Sequence, residues 1–256
     1  MKRESGGVLV LGGTGGLGAA IVRRLATDWE HLDFTYRPTA DGAGAAKAAA
    51  LVAEVGDTAV VRSHCLDYLD EKALGELLRS VHRSSGGLRA VVNAVGAHIP
   101  QHYVSQITPE QWQDVVPVEL MAFIALVRQV LPILRETHGN IVNVGSVATH
   151  SFVIGDALSA VPKAGAEVLC RAVAKEEGRY GVRANTVAPG IMEVGIGKRV
   201  MVTTYDDAVW EQSKRRTPLR RFGTGEDVAG AVAFLCSSEA SFITGQTLIA
   251  DGGLHL

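Results

Sequence analysis

The part of the chain that most constrains its fold is residues 8–25, where the apolar run VLVL passes at once into GGTGGLG and then AAIVRRLA. Strand formers, a glycine turn, and then Ala19, Ile21, Val22 and Leu25 along one side of a helix are the opening of a βαβ unit. Glycines let backbone amides approach a pyrophosphate, and a helix N-terminus adds a partial positive charge at the same point. The candidate contacts are Gly12, Thr14, Gly16, Leu17 and Gly18. A glycine turn alone also occurs as plain structure, but here both flanks match what the motif requires.

Downstream, strands and helices alternate. Residues 31–36 read as a second strand ending at Arg37. An acidic residue at that end suits a ribose 2′-hydroxyl, whereas an arginine suits a 2′-phosphate, so Arg37 points to NADP(H); a solvated arginine is the bland alternative. Residues 41–54 are alanine-rich and helical by propensity. A third strand starts at Val60 and ends at Leu66 and Asp67, and a helix follows over 70–82 with Leu74, Leu77, Leu78 and Val81 at helical spacing. Residues 88–95 form a strand ending in Asn93-Ala94-Val95-Gly96.

Thr108-Pro109-Glu110-Gln111 reads as a helix start, with Thr108 as cap and Gln111 closing a capping box. That helix is expected to continue to about Leu134, kinked or locally broken at Pro117. After a strand at 140–144 comes a helix carrying Lys163. Pro162 is tolerable only in a first turn, which places the start near Ser159. Strands at 181–188 and 247–250 and a helix at 226–235 complete the pattern. Residues 191–217 read as an excursion or lid with some helix and an isolated Trp210. The expectation is an α/β fold: one Rossmann-type, doubly wound parallel sheet with helices on both faces, in a single domain over residues 1–256.

With 47% hydrophobic residues in 256, a sizeable core is available. A net charge of −2 offers no electrostatic argument for nucleic acid or anionic membrane. Cys65, Cys170 and Cys236 are scattered, without CxxC or histidine at ligand spacing. They read as buried small hydrophobes in a reducing compartment, with no metal site. The N-terminal apolar run is too short for a signal peptide or a span, so a soluble cytoplasmic protein is expected.

The whole set of motifs resembles a short-chain dehydrogenase/reductase, close in pattern to β-ketoacyl carrier-protein reductases. Gly12, Gly16 and Gly18 fall on the family's TGxxxGxG glycines, and Asp67 on an aspartate that contacts adenine. Asn93-Ala94-x-Gly96 matches the NAG segment and Pro189-Gly190 the PG motif, while residues 216–253 are very like the C-terminal signature. The resemblance implies about seven strands and a homotetramer or homodimer built on two long helices. It also implies an Asn-Ser-Tyr-Lys set in which tyrosine moves the proton, lysine lowers the phenol's pKa and holds the ribose, serine binds the carbonyl, and asparagine supports a relay water.

Ser146 and Lys163 match the serine and the lysine. Ser159 stands in the tyrosine position, Glu119 in the asparagine position, Val194 where a threonine touches the nicotinamide amide, and Leu11 at the head of the glycine motif. An aliphatic hydroxyl ionises far less readily than a phenol and is shorter by a ring, and loss of a general acid/base removes about 10²- to 10⁴-fold in rate. His98, His150 and Glu119, which could form a buried ion pair with Lys163, are candidate substitutes, each also readable as a structural or loop residue. Asp156 occupies the place a Tyr-x6-Lys variant would give its tyrosine, which closes that route.

Three readings remain open. One is an NADP(H)-dependent oxidoreductase acting on a small apolar carbonyl or alcohol, with acyl, polyketide-like and carrier-bound ketones included. The second is a non-redox enzyme on the same scaffold, and the third a silent partner subunit.

Overall fold

A computed structural model describes residues 3–97, 99–195, 197 and 207–256. Seven strands form one sheet, every pairing parallel, in the order β3-β2-β1-β4-β5-β6-β7. They are β1 (Glu4–Leu11), β2 (Trp29–Tyr36), β3 (Val60–Cys65), β4 (Leu88–Asn93), β5 (Asn140–Val144), β6 (Arg183–Pro189) and β7 (Thr247–Ala250). This is the doubly wound Rossmann-type architecture expected from the alternating pattern.

Alternation along β1 builds both faces. Val8 and Val10 join Ile21 and Leu25 of α1 (Gly16–Asp28), Leu51 of α2 (Ala43–Val55), and Val228 and Val232 of a helix near the C-terminus (Gly225–Cys236). Leu9 and Leu11 join Leu74 and Leu78 of α3 (Glu71–Ser84) with residues of the long helix described next. The inner strands β4, β5 and β6 bury both faces, as a parallel sheet covered by helices requires, whereas the edge strands β3 and β7 have no fully buried residue.

The capping box at Thr108 and Gln111 is present and opens α4 (Pro109–Val116). Pro117 starts a π turn (Pro117–Met121) instead of breaking the helix, and α5 (Ala122–Thr137) follows without interruption. A proline has no N–H to give, and a wider turn accommodates that with a local bulge. The helix Pro109–Thr137 is the one among the described residues that is long and apolar enough to cross a membrane, by length and composition. Its Phe123, Leu126, Val130 and Leu134 are buried in the core.

Three expectations are corrected. The helix carrying Lys163, α6 (Ala157–Glu177), starts before Ser159, which leaves Pro162 inside it. Its first turn is fixed from upstream: the Asp156 carbonyl accepts from the Ser159 and Ala160 amides at 3.1 and 2.8 Å. Tertiary packing of buried Ala157, Leu158 and Pro162 thus outweighs the local preference that proline expresses. Cys65, expected inside, is exposed because it ends the edge strand β3, whereas Cys170 and Cys236 are buried. In the 191–217 region, α7 (Asp207–Arg216) supplies the expected helix, and Trp210 is not isolated: its ring meets Phe222 edge-on at 6.1 Å. Ile196, Val200, Met201 and Val202, whose apolar side chains in the sequence suggest an apolar ligand, lie outside the described residues. The helix Gly225–Cys236 is α8.

The tightest approach in the fold is at the glycine turn. A Cβ added to Gly18 would lie 2.1 Å from the Gly12 carbonyl oxygen, a backbone atom with nowhere to go. Gly18→Ala is expected to lower stability by about 1–3 kcal/mol through backbone displacement, measured by urea unfolding; an unchanged midpoint would contradict this packing.

Candidate active site

Because all strands run the same way, their carboxyl ends share one edge of the sheet, and the segments that follow them line it. The order of connection reverses between β1 and β4, which opens a crevice there. The glycine turn hangs on β2: the Gly12 amide donates to Thr35 Oγ1 at 3.0 Å and the Gly13 amide to the Thr35 carbonyl at 2.8 Å. Gly12 holds φ +79, and a Cβ there would come within 2.8 Å of the Ala94 carbonyl. The N-cap of α1 is Gly15, with no side chain closing the helix start. An uncapped helix N-terminus in a cradle that side chains would fill is a fit for a dinucleotide pyrophosphate.

The other residues expected beside a dinucleotide are ordered along the same edge. Arg37 is exposed just past β2 and has no ion-pair partner among the described residues. Buried Leu66 donates its amide to the Tyr36 carbonyl, and Asp67 beside it is exposed. Ala94 donates to the Leu11 carbonyl at 3.0 Å, and Gly96 is exposed. Asn93 donates to Asn143 Oδ1 at 2.9 Å, while its own Oδ1 is buried without a partner. After β6, the Gly190 amide donates to the Ala250 carbonyl, and Pro189 is buried. Val194, partly buried, packs on the core, and Gly195 touches Gly16 of the turn.

Ser146 follows β5 and opens a 3₁₀ turn (Val147–Thr149); its Oγ accepts from the Ala148 amide at 3.2 Å, leaving its own hydrogen to donate. Lys163 projects from α6 one turn after Ser159, which is buried. Glu119 comes from the π turn. Its Oε2 meets Lys163 Nζ at 2.5 Å and its Oε1 accepts from the Ala97 amide at 2.5 Å. The two side chains are only 2% and 15% exposed. The structure therefore brings Glu119 and Lys163 together as one buried ion pair and ties the loop after β4 to both. His98 lies outside the described residues.

Glu167 and Asn143, which sequence reasoning did not single out, and Asp156, which it read only as a missing tyrosine, extend the constellation. Glu167, one turn beyond Lys163 on α6, accepts from Thr149 Oγ1 at 2.6 Å and sits 3.2 Å from His150 Nε2, anchoring the 3₁₀ turn that begins at Ser146. The helical spacing of Lys163 and Glu167 was a usable signal; the cross-element pairing was not. Asn143 was overlooked because it lies inside an apolar strand. Asp156 is the N-cap residue of α6, yet its carboxyl caps nothing. Burial first, and the nearby Glu119 carboxylate second, push that carboxyl up to about 6 against the opposing pull of Lys163. Among the described residues no group of His, Cys, Asp and Glu is arranged to hold a metal.

A parallel Rossmann-type sheet with a glycine cradle at its switch point defines a dinucleotide-binding scaffold, and comparison with known proteins makes it that of an oxidoreductase family. The family model described as Enoyl-(Acyl carrier protein) reductase matches residues 12–255. L-fucose dehydrogenase of Mus musculus is 32% identical over 259 residues, covering 100% of this chain and 91% of that protein. The 3-oxoacyl-(acyl-carrier-protein) reductase FabG of Aquifex aeolicus is 28% identical, covering 96% of each. The crystal structure of levodione reductase superposes with a TM-score of 0.90 at 28% identity, over 100% of this chain and 99% of that one. The chain belongs to the short-chain dehydrogenase/reductase family, whose members are dehydrogenases and reductases that use NAD or NADP.

Breaking a buried pair from one side strands the other charge. Lys163→Met should therefore cost about 3–5 kcal/mol, and the Glu119→Gln/Lys163→Met double variant should cost less than the sum of the singles. Urea unfolding of all three checks this; additive losses would mean the pair is not coupled.

Proposed function

We propose that this protein is an NADP(H)-dependent oxidoreductase that interconverts a small apolar ketone and its alcohol, with an atypical proton relay. The observation that carries the reading is the glycine cradle with its uncapped helix start at the switch point, on the sheet edge past which Ser146 follows β5. In this reading the uncapped amides of Gly16, Leu17 and Gly18 hold the pyrophosphate, supported by Gly12 and Thr14. Arg37, exposed and unpaired among the described residues, takes the 2′-phosphate. Leu66 and Asp67 flank the adenine, and Asn93, Ala94 and Gly96 flank the ribose. Pro189 and Gly190 border the nicotinamide. When bound, that cofactor supplies or accepts the hydride.

Ser146 donates its free hydrogen to the carbonyl oxygen. Lys163, held by Glu119, keeps two further ammonium hydrogens for the ribose and for a water. Glu119 fixes that ammonium where a relay needs it, and Ser159 leaves room where a phenol would stand. The names of the relatives support a carbonyl/alcohol pair as substrate: a sugar dehydrogenase, a 3-oxoacyl carrier-protein reductase and a diketone reductase. A carrier-bound acyl ketone belongs to the same class.

A homodimer or homotetramer is part of this reading, supported by apolar side chains left exposed on the π turn and along α5 and α6: Met121, Ile124, Val161 and Val168. So is a cytoplasmic location. One observation favours a non-redox alternative: Lys163 meets a carboxylate and no phenol, an arrangement that also suits polarising a carbonyl beside a base. Product formation indifferent to whether the cofactor is oxidised or reduced would select it.

NADPH oxidation with a panel of β-ketoacyl thioesters and cyclic ketones tests the main reading. Turnover with at least one is expected, and Ser159→Tyr should increase it by about 10-fold or more if the phenol reaches the substrate oxygen. Silence across the panel overturns the reading.

A further inference from the structure

The place that sequence comparison closes to a tyrosine is filled by a carboxyl with no structural employment. Asp156 sits at the start of α6, two turns before Lys163, and the backbone there is organised by its carbonyl, not by its side chain. That side chain neither caps the helix nor has a hydrogen-bond partner among the described residues. The loop after β4 is folded down onto the same corner, where the His102 amide donates to the Gly155 carbonyl at 3.1 Å. The corner is therefore walled by the segment that, in this scaffold, follows a strand end into the crevice. The charged groups whose fields reach Asp156 are Lys163 on its own helix and Glu119 on the π turn.

Helix geometry says why this carboxyl matters. Side chains on a helix lean toward its N-terminus and cover the turn before their own Cα. A long side chain at 159 would thus lie over the turn that contains 156, three residues earlier on the same face. A short serine at 159 leaves that patch open, and Asp156, three residues earlier, is the titratable residue the turn carries.

We propose that Asp156 is the catalytic acid/base of this protein, exchanging the proton with the substrate oxygen in place of the family's phenol. The role rests on the oxidoreductase reading above. With the reduced nicotinamide giving hydride to the carbonyl carbon, the carbon–oxygen π pair becomes a lone pair on oxygen. That oxygen takes the proton from the Asp156 carboxyl, whose O–H bond breaks to leave the carboxylate. Solvent returns the proton, and in alcohol oxidation the carboxylate accepts it. Lys163 and Ser146 stabilise the charge that passes between the two oxygens. Burial supplies a carboxyl that is still partly protonated near neutral pH, as an acid at this position requires.

Three measurements test the role. In the ligand-free protein labelled with ¹³C at aspartate carboxyls, one resonance should titrate with a midpoint of about 6, vanish in Asp156→Asn, and shift to lower pH in Glu119→Gln. A titration at the ordinary aspartate position, 3.8, overturns the proposal. Thermal unfolding gives the same answer independently. The folded carboxyl keeps its proton up to about 6 and the unfolded one releases it near 3.8, so its contribution is full below 3.8 and is lost as pH rises through 6. Asp156→Asn should melt above the wild type at pH 8, with the gap closing below pH 4; a gap independent of pH counts against the role.

In the reductive direction, wild-type kcat/KM should fall about tenfold per pH unit above the midpoint, and Asp156→Asn should lose about 10²- to 10⁴-fold together with that limb. Activity in the wild type with Asp156→Asn within threefold and the same profile overturns the role alone. A wild type that reduces no ketone overturns the oxidoreductase reading and this role with it.

Discussion

The contact between Glu119 and Lys163 is the hinge of this molecule. A carboxylate and an ammonium at 2.5 Å, almost wholly removed from water, are costly to bury and hold their place only if each is fully engaged. Here Glu119 spends its second oxygen on the Ala97 amide, so that a single side chain joins the loop after β4, the π turn and α6. The π turn at Pro117 is part of the same device, since it is the turn on which Glu119 is carried. The sheet brings its strand ends to one edge, and this pair decides how the loops beyond them are spaced.

On one side of that pair lies the glycine turn, where a Cβ at Gly18 or Gly12 would come within 2.1 or 2.8 Å of a backbone carbonyl oxygen. On the other side, the lysine that the family pairs with a phenol is surrounded by carboxyls. Glu119 engages it directly and Asp156 feels its field. A second buried acid, Glu167, holds the turn that begins at Ser146 through Thr149 and His150. The acids around Lys163 thus come from two elements, Asp156 and Glu167 from α6 and Glu119 from the π turn, and the turn that begins at Ser146 is anchored from behind by α6.

Much of the fold was legible because its signals are local. Apolar β-branched runs of four to eight residues with glycine or polar ends marked the strands, and the Thr108–Gln111 box announced α4. Where a signal depended on partners distant in the chain, sequence reasoning failed. Pro162 argued for a late helix start, but the start is set by the Asp156 carbonyl and by buried Ala157 and Leu158. Cys65 looked like a core thiol because nothing in its own neighbourhood says that β3 is an edge strand. Glu119 was legible as a possible partner for Lys163, since both fall on matched positions. Glu167 was not, because its partners sit beside a different strand. Asp156 was read only as a tyrosine that is missing, and its own chemistry became visible once its burial and its neighbours were known.

The proposed function requires the chain to grip a phosphorylated nicotinamide dinucleotide and to move protons without a phenol. Calorimetric titration of the ligand-free protein with NADPH and with NADH tests the grip most directly. Saturable binding of NADPH at least about tenfold tighter than NADH, a difference of about 1.4 kcal/mol, and abolished by replacing Arg37 with alanine, is the predicted result. Equal affinity for the two, or binding of neither, would contradict it.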